Sequence, residues 1–274
     1  MPLTPEERTR CENFAEQYRL GRSCVMREIE RAVWGCDYGS TSWATAAEVR
    51  RVAQLLGLGP GKRLLDIGAG SGWPALHLAR VTGCDVALVD LPYEGLRIAA
   101  ERAAADGSAG RCWFAVANGA ALPFKAAAFD AIGHSDVLCC LEAKLSVLRD
   151  CRRVIRSDGR MVFTVISIAP GLSPADHARA VESGPRFVAA PAEYPALLRQ
   201  AGWDVADRID LTAEYAETAR RLLREEEARA EPLRELLGVA AYAERLAGHR
   251  ASLRATEDGL LRRDLFAACG ATER

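Results

Sequence analysis

The stretch "RLLDIGAGSGWPALHLAR", residues 63–80, sets three glycines on alternate positions between an apolar run and a helical pattern. Glycine weakens both strands and helices, so Gly68, Gly70 and Gly72 mark a place where the backbone must turn sharply and approach a ligand closely. Two dozen residues after Asp66, a second apolar run, "DVALVD", ends in Asp90. A carboxylate at that point can accept hydrogen bonds from both hydroxyls of a ribose. The dinucleotide fingerprint would need a third glycine where Trp73 stands, and no Gly-Lys-Ser/Thr ending provides a phosphate loop. The pattern therefore selects a nucleoside-like ligand without a pyrophosphate.

These residues need elements to hold them. Short apolar runs alternate with helical patterns through "RLLDIG", "DVALVD", "CWFAVAN", "FDAIGHSD" and "RMVFTVI", the last entered through the turn "SDGR". Such alternation predicts a doubly wound α/β fold with a parallel sheet, whose ligands bind beyond the carboxyl ends of the strands. The helix after the glycines is predicted to end at Gly83. A further helix, "LSPADHARAVESG", opens on a Ser-Pro start. Ahead of the sheet, residues 5–34 read as helical and are expected to cover it, with Val25, Met26, Ile29 and Val33 on one face. The domain reading is an N-terminal helical lid at 1–45, a Rossmann-like core at 46–212, a helical cap insertion at 213–258 and a last strand at 259–274. Within the cap, Tyr215, Ala219, Leu222 and Leu223 form an apolar stripe, and "RRLLREEEAR" reads as a solvated face.

Composition narrows the partners. A 274-residue chain, 49% hydrophobic, can fill the core of one large domain, and its formal net charge of −1 gives no footprint for nucleic acid. No run reaches the length of a membrane span, and the charged N-terminus lacks a secretory pattern, so a cytoplasmic protein is expected. Nine cysteines without a CxxC pair point to neither a disulfide framework nor a metal site. The composition leaves the oligomeric state undetermined.

The motifs "LLDIGAGSGWPALHLA", "VALVD" and "ANGAALPFKAAAFDAI" resemble those of class I S-adenosylmethionine-dependent methyltransferases. The similarity is closest to the branch with quinone C-methyltransferases and sarcosine or dimethylglycine N-methyltransferases. It implies methyl transfer by in-line displacement from S-adenosyl-L-methionine to O, N or C of a small-molecule substrate, with S-adenosyl-L-homocysteine as product. It also implies that Asp66, Gly68, Gly70 and Gly72 hold the methionine end, that Asp90 holds the ribose, and that Leu91 covers the adenine. Asn118, followed by Gly119, stands where the family has an Asp for the adenine amino group.

Beyond the fourth strand, Asp136 matches a family position and is, with His134, a catalytic candidate, whereas Cys140 replaces a histidine. His134 is the substitute: a base beside the methyl group, within reach of the cofactor. Cys139 and Cys140 read as pocket wall or core, and His77 and His249 as structural. Two other readings stay open, a nicotinamide-dependent oxidoreductase and a noncatalytic cofactor-binding protein of the same fold.

Overall fold

In the computed structural model, seven strands form one sheet in the order β3-β2-β1-β4-β5-β7-β6. The structure describes residues 5–39, 41–107 and 110–271. In chain order the elements are α1 (Pro5–Leu20), α2 (Cys24–Trp34), α3 (Ala46–Leu56), β1 (Arg63–Ile67), α4 (Ala75–Thr82), β2 (Asp85–Asp90), α5 (Tyr93–Asp106), β3 (Cys112–Val116) and β4 (Phe129–Ser135). There follow α6 (Lys144–Val154), β5 (Ile155–Ile168), α7 (Pro174–Ser183), α8 (Tyr194–Gln200), β6 (Trp203–Asp210), α9 (Thr212–Ala228), α10 (Ala230–Leu237), α11 (Val239–Glu257) and β7 (Leu261–Gly270).

The first five strands pair in parallel, and β7 runs antiparallel between β5 and β6. Because β1 has β2 on one side and β4 on the other, the strand order reverses beside it. That switch opens a crevice at its carboxyl end. The central strands are buried on both faces, as their continuous apolar runs require. Leu65, Ile67 and Ile132 pack with α6 and α8 on one side, and Leu64, Val86 and Leu88 with α3 and α4 on the other.

Local chemistry sets the helix ends. Ser173 accepts from the Asp176 N–H at 3.1 Å at the start of α7, and Gly83 closes α4 at φ 73°. The turn "SDGR" is a bulge rather than a break. Ile155 pairs with Phe129 and Arg160 with Ala131, so five steps along β5 match two along β4.

Residues 5–34 differ from the expectation. The segment breaks after Leu20, where Ser23 caps α2 by accepting from the Met26 N–H at 3.4 Å. Neither piece covers the sheet. α1 lies against α5, and α2 packs Ile29 and Val33 onto α9 in a separate apolar cluster formed with α10 and α11. The α9–α11 helices connect β6 to β7, so this cluster lies at the end of the sheet where β5 finishes. Among the described residues no helix is long and apolar enough to cross a membrane.

Candidate functional site

At the carboxyl end of β1 the chain turns back on itself. The N–H groups of Gly68 and Ala69 both donate to the Val89 carbonyl, at 2.8 and 3.1 Å, which ties the loop to β2. Gly70 then donates its N–H to one Asp90 carboxylate oxygen at 2.8 Å, and Leu91 donates to the other at 2.8 Å. Gly70 has φ 51°, and a Cβ placed on it would lie 2.7 Å from the Tyr18 hydroxyl. Only glycine satisfies both demands.

The loop borders a cavity of about 130 Å³, whose lining includes Tyr18, Asp66, Gly70, Asp90, Leu91 and Asp136. Gly68 lines it as well, whereas Gly72 faces Leu76 and Ala99 and serves the packing of the loop. Asp66 is 3% exposed and its Oδ2 has no hydrogen-bond partner; the Ser71 hydroxyl beside it is also buried and unpartnered. Burial, reinforced by the nearby Asp90, pushes Asp66 well above the usual carboxylate range. Burial also pushes Asp90 up to about 6, against the opposing effect of its two backbone N–H bonds and the Tyr18 hydroxyl. Two acids and orphaned acceptors around one cavity form a receptor for a ligand with hydroxyls and a positive charge.

Asp136 also lines the cavity, with φ 56°. Its carboxylate accepts from Arg263 Nε and Nη2, both at 3.0 Å. The same guanidinium holds Glu48 at 2.7 and 2.9 Å and donates to Thr164 at 3.1 Å. Asp136 is thus held by two hydrogen bonds from one buried guanidinium. Cys140 lines the cavity and Cys139 lies in the core behind it.

Besides Gly72, three expected site residues lie outside this lining. His134 is 3% exposed, stacks on Phe163 at 4.6 Å, and leaves both ring nitrogens without partners. It lies outside the cavity lining, and burial pulls its pKa down to about 3. The ring is packed face-on against Phe163 in the core, apart from the residues that line the crevice. Asn118 and Gly119 also lie outside the lining. The Asn118 Oδ1 accepts from the Ala120 N–H at 2.9 Å and its Nδ2 donates to Glu7 on α1 at 3.4 Å, while Gly119 rests on Ile67. Conversely, Arg263 and Glu48 were not singled out from the sequence. They lie 215 positions apart, and no local pattern links them.

A mostly parallel sheet with a glycine turn, an acid at the end of β2 and a cavity at the switch point defines a Rossmann-like protein that binds a nucleoside-type cofactor. A model of the methyltransferase domain matches residues 65–163. The methyltransferase GfsG of Streptomyces halstedii is 30% identical over 218 residues, covering 77% of this chain and 78% of that protein. The 27-O-demethylrifamycin SV methyltransferase of Amycolatopsis mediterranei is 29% identical over 188 residues, 67% of this chain and 69% of that one. In three dimensions the chain resembles the mycolic acid cyclopropane synthase CmaA1, complexed with SAH and CTAB. That match has a TM-score of 0.78 at 17% identity, over 97% of this chain and 99% of the other.

The chain belongs to the S-adenosylmethionine-dependent methyltransferases. It is an enzyme that transfers a methyl group from S-adenosyl-L-methionine to a small molecule. The oxidoreductase and noncatalytic readings find no support among these relatives.

Proposed function

We propose that the cavity at the end of β1 is the donor site, with Asp66 facing the cofactor's ammonium, the Gly68–Gly70 backbone its methionine carboxylate, Asp90 its ribose and Leu91 its adenine. The observation that carries this reading is the buried, unpartnered Asp66 oxygen beside Asp90. A carboxyl with no partner in a closed site is costly unless a donor completes it, and an ammonium is such a donor. The sulfonium supplies the activated methyl group when bound. The chain's task is then alignment and exclusion of water.

In this reading residues 1–45 act as a lid and 213–258 as a cap. Tyr18 on α1 lines the donor cavity and hydrogen-bonds to Asp90 and Thr41, and α2 packs on α9. The scattered cysteines support a reducing, cytoplasmic setting. The 27-O-demethylrifamycin SV methyltransferase makes an oxygen nucleophile the first to consider here.

Titration calorimetry with S-adenosyl-L-homocysteine tests the site. Asp66→Asn keeps the shape and removes the charge, which for a charged hydrogen bond costs about 1.5–3 kcal/mol, or roughly 10- to 150-fold in affinity. Unchanged affinity in a folded variant removes Asp66 from the site.

A further inference from the structure

A second cavity, of about 230 Å³, lies between α1, α2 and the cap helices, and it shares Thr41 and Ser42 with the donor cavity. Its walls are largely apolar: Leu20, Met26, Trp34, Trp43, Leu222 and Leu237. The Trp34 indole N–H is buried there without a partner. Two α11 side chains, Arg245 and His249, break this lining, and both engage a carboxylate behind it. Glu226, fully buried in α9, accepts from Arg245 Nε at 2.6 Å and pairs with His249 Nδ1 at 2.9 Å, both from α11. Arg245 and His249 both line the cavity.

The chemistry of this cluster is directional. The partners of Glu226 outweigh its burial and hold it below the usual carboxylate range, so it is an acceptor only. An imidazole whose Nδ1 faces that carboxylate must carry its proton on Nδ1 in the neutral form. Nε2 is then left as a free acceptor. The Trp43 ring, 6.5 Å from the imidazole and edge-on to it, walls the same space. A carboxylate that orients a histidine at the edge of an apolar chamber, which shares Thr41 and Ser42 with the donor cavity, is an arrangement for removing a proton from a bound nucleophile.

We propose that this chamber is the acceptor site for an apolar, ring-bearing molecule whose nucleophile is a hydroxyl, and that His249, oriented by Glu226, takes the hydroxyl proton. The proposal rests on the donor-site reading above. As the hydroxyl oxygen forms the new O–C bond, the S–C bond breaks with its electron pair going to sulfur. The proton passes to His249 Nε2 and from there to solvent. An amine acceptor, neutral and already nucleophilic, would gain little from such a base before attack. The hydroxyl is therefore the acceptor that uses what the site contains.

The test uses 1-naphthol and 1-naphthylamine, which present one ring system with two nucleophiles, and follows S-adenosyl-L-homocysteine release by the full-length enzyme. The expected result is methylation of 1-naphthol in preference to the amine, with a 100-fold or greater fall in kcat in His249→Gln, in line with the roughly 10²–10⁴-fold contribution of a general base. Glu226→Gln should lower kcat less, with KM little changed. Leu222→Trp, which fills the chamber, should raise KM and abolish quenching of tryptophan fluorescence by 1-naphthol. Calorimetry with S-adenosyl-L-homocysteine on every variant separates the two readings. Lost binding in the wild-type enzyme overturns the donor site. Intact binding with no methylation of 1-naphthol, equal turnover of the amine, or an unchanged kcat in folded His249→Gln overturns the proposal.

Discussion

Replacing Arg263 by methionine should destabilise the enzyme more than any single apolar truncation in its core. The guanidinium is 1% exposed and makes four charge-assisted contacts of 2.7–3.0 Å to two carboxylates that are nearly as buried. Methionine keeps much of the volume, so the loss is electrostatic. Breaking a buried ion pair costs about 3–5 kcal/mol because the partner is left uncompensated, and here one cation serves two partners. The expected loss is at the upper end, about 5 kcal/mol, set against a typical total of about 5–15 kcal/mol. With roughly 2–4 °C per kcal/mol for a chain approaching this size, Tm should fall by about 10–20 °C.

The loss should also depend on pH. Glu48 is held above its ordinary range because burial outweighs the Arg263 charge, so the folded state binds that proton more tightly than the unfolded chain. Its contribution is therefore full below the unfolded pKa and is lost as pH rises through the folded one. Without Arg263 the folded value rises further, and the deficit of the variant should grow from pH 5 to pH 8. Urea unfolding at both pH values measures it, and Glu48→Gln added to Arg263→Met should recover part of the loss. A deficit below about 1 kcal/mol, or one that is the same at both pH values, would refute the argument.

Four further outcomes follow, three of them from the donor site. Because Asp90 is raised to about 6, its protonation below that pH removes an acceptor, and S-adenosyl-L-homocysteine affinity should fall about tenfold per pH unit below 6 in calorimetry. The same raised value makes its contribution to the stability of the ligand-free fold decline as pH rises from about 4 to 6, a trend that Asp90→Ala should remove from urea unfolding curves. Gly70→Val should abolish cofactor binding while the chain still folds, because φ 51° and the Tyr18 hydroxyl both oppose a branched side chain; circular dichroism alongside calorimetry checks both halves. His134→Phe should leave kcat unchanged and stability undiminished, since it replaces two unpartnered buried nitrogens with carbon in a stacked position; a large fall in kcat at normal stability would restore the base role.

The parts of this enzyme legible in its sequence are those in which neighbours along the chain are also neighbours in space. The glycine turn, Asp66 and Asp90 meet because consecutive parallel strands end side by side, and that register follows from the alternation of strand and helix. The contact expected at Asn118 depended on a resemblance at one position, and that at His134 on replacing a family histidine missing at Cys140; in the fold Phe163 stacks on His134, and Ala120 and Glu7 engage Asn118. The Arg263 clamp was invisible because its three members come from α3, the end of β4 and β7.

The His249 and Glu226 pair is a different case, since its signal was present. The apolar stripe Tyr215, Ala219, Leu222 continues four residues on to Glu226, and Tyr242, Leu246 and Leu253 place His249 on the buried side of α11. A run of acids reads as a solvated face only if its helical phase is ignored. Glu226 shares the apolar phase, while Glu225 and Glu227 flank it. An acid on an apolar stripe and a histidine on the facing stripe can each be buried at tolerable cost only if they meet. Their pairing is therefore deducible from the two helical periods, and it brings His249 to the wall of the apolar chamber.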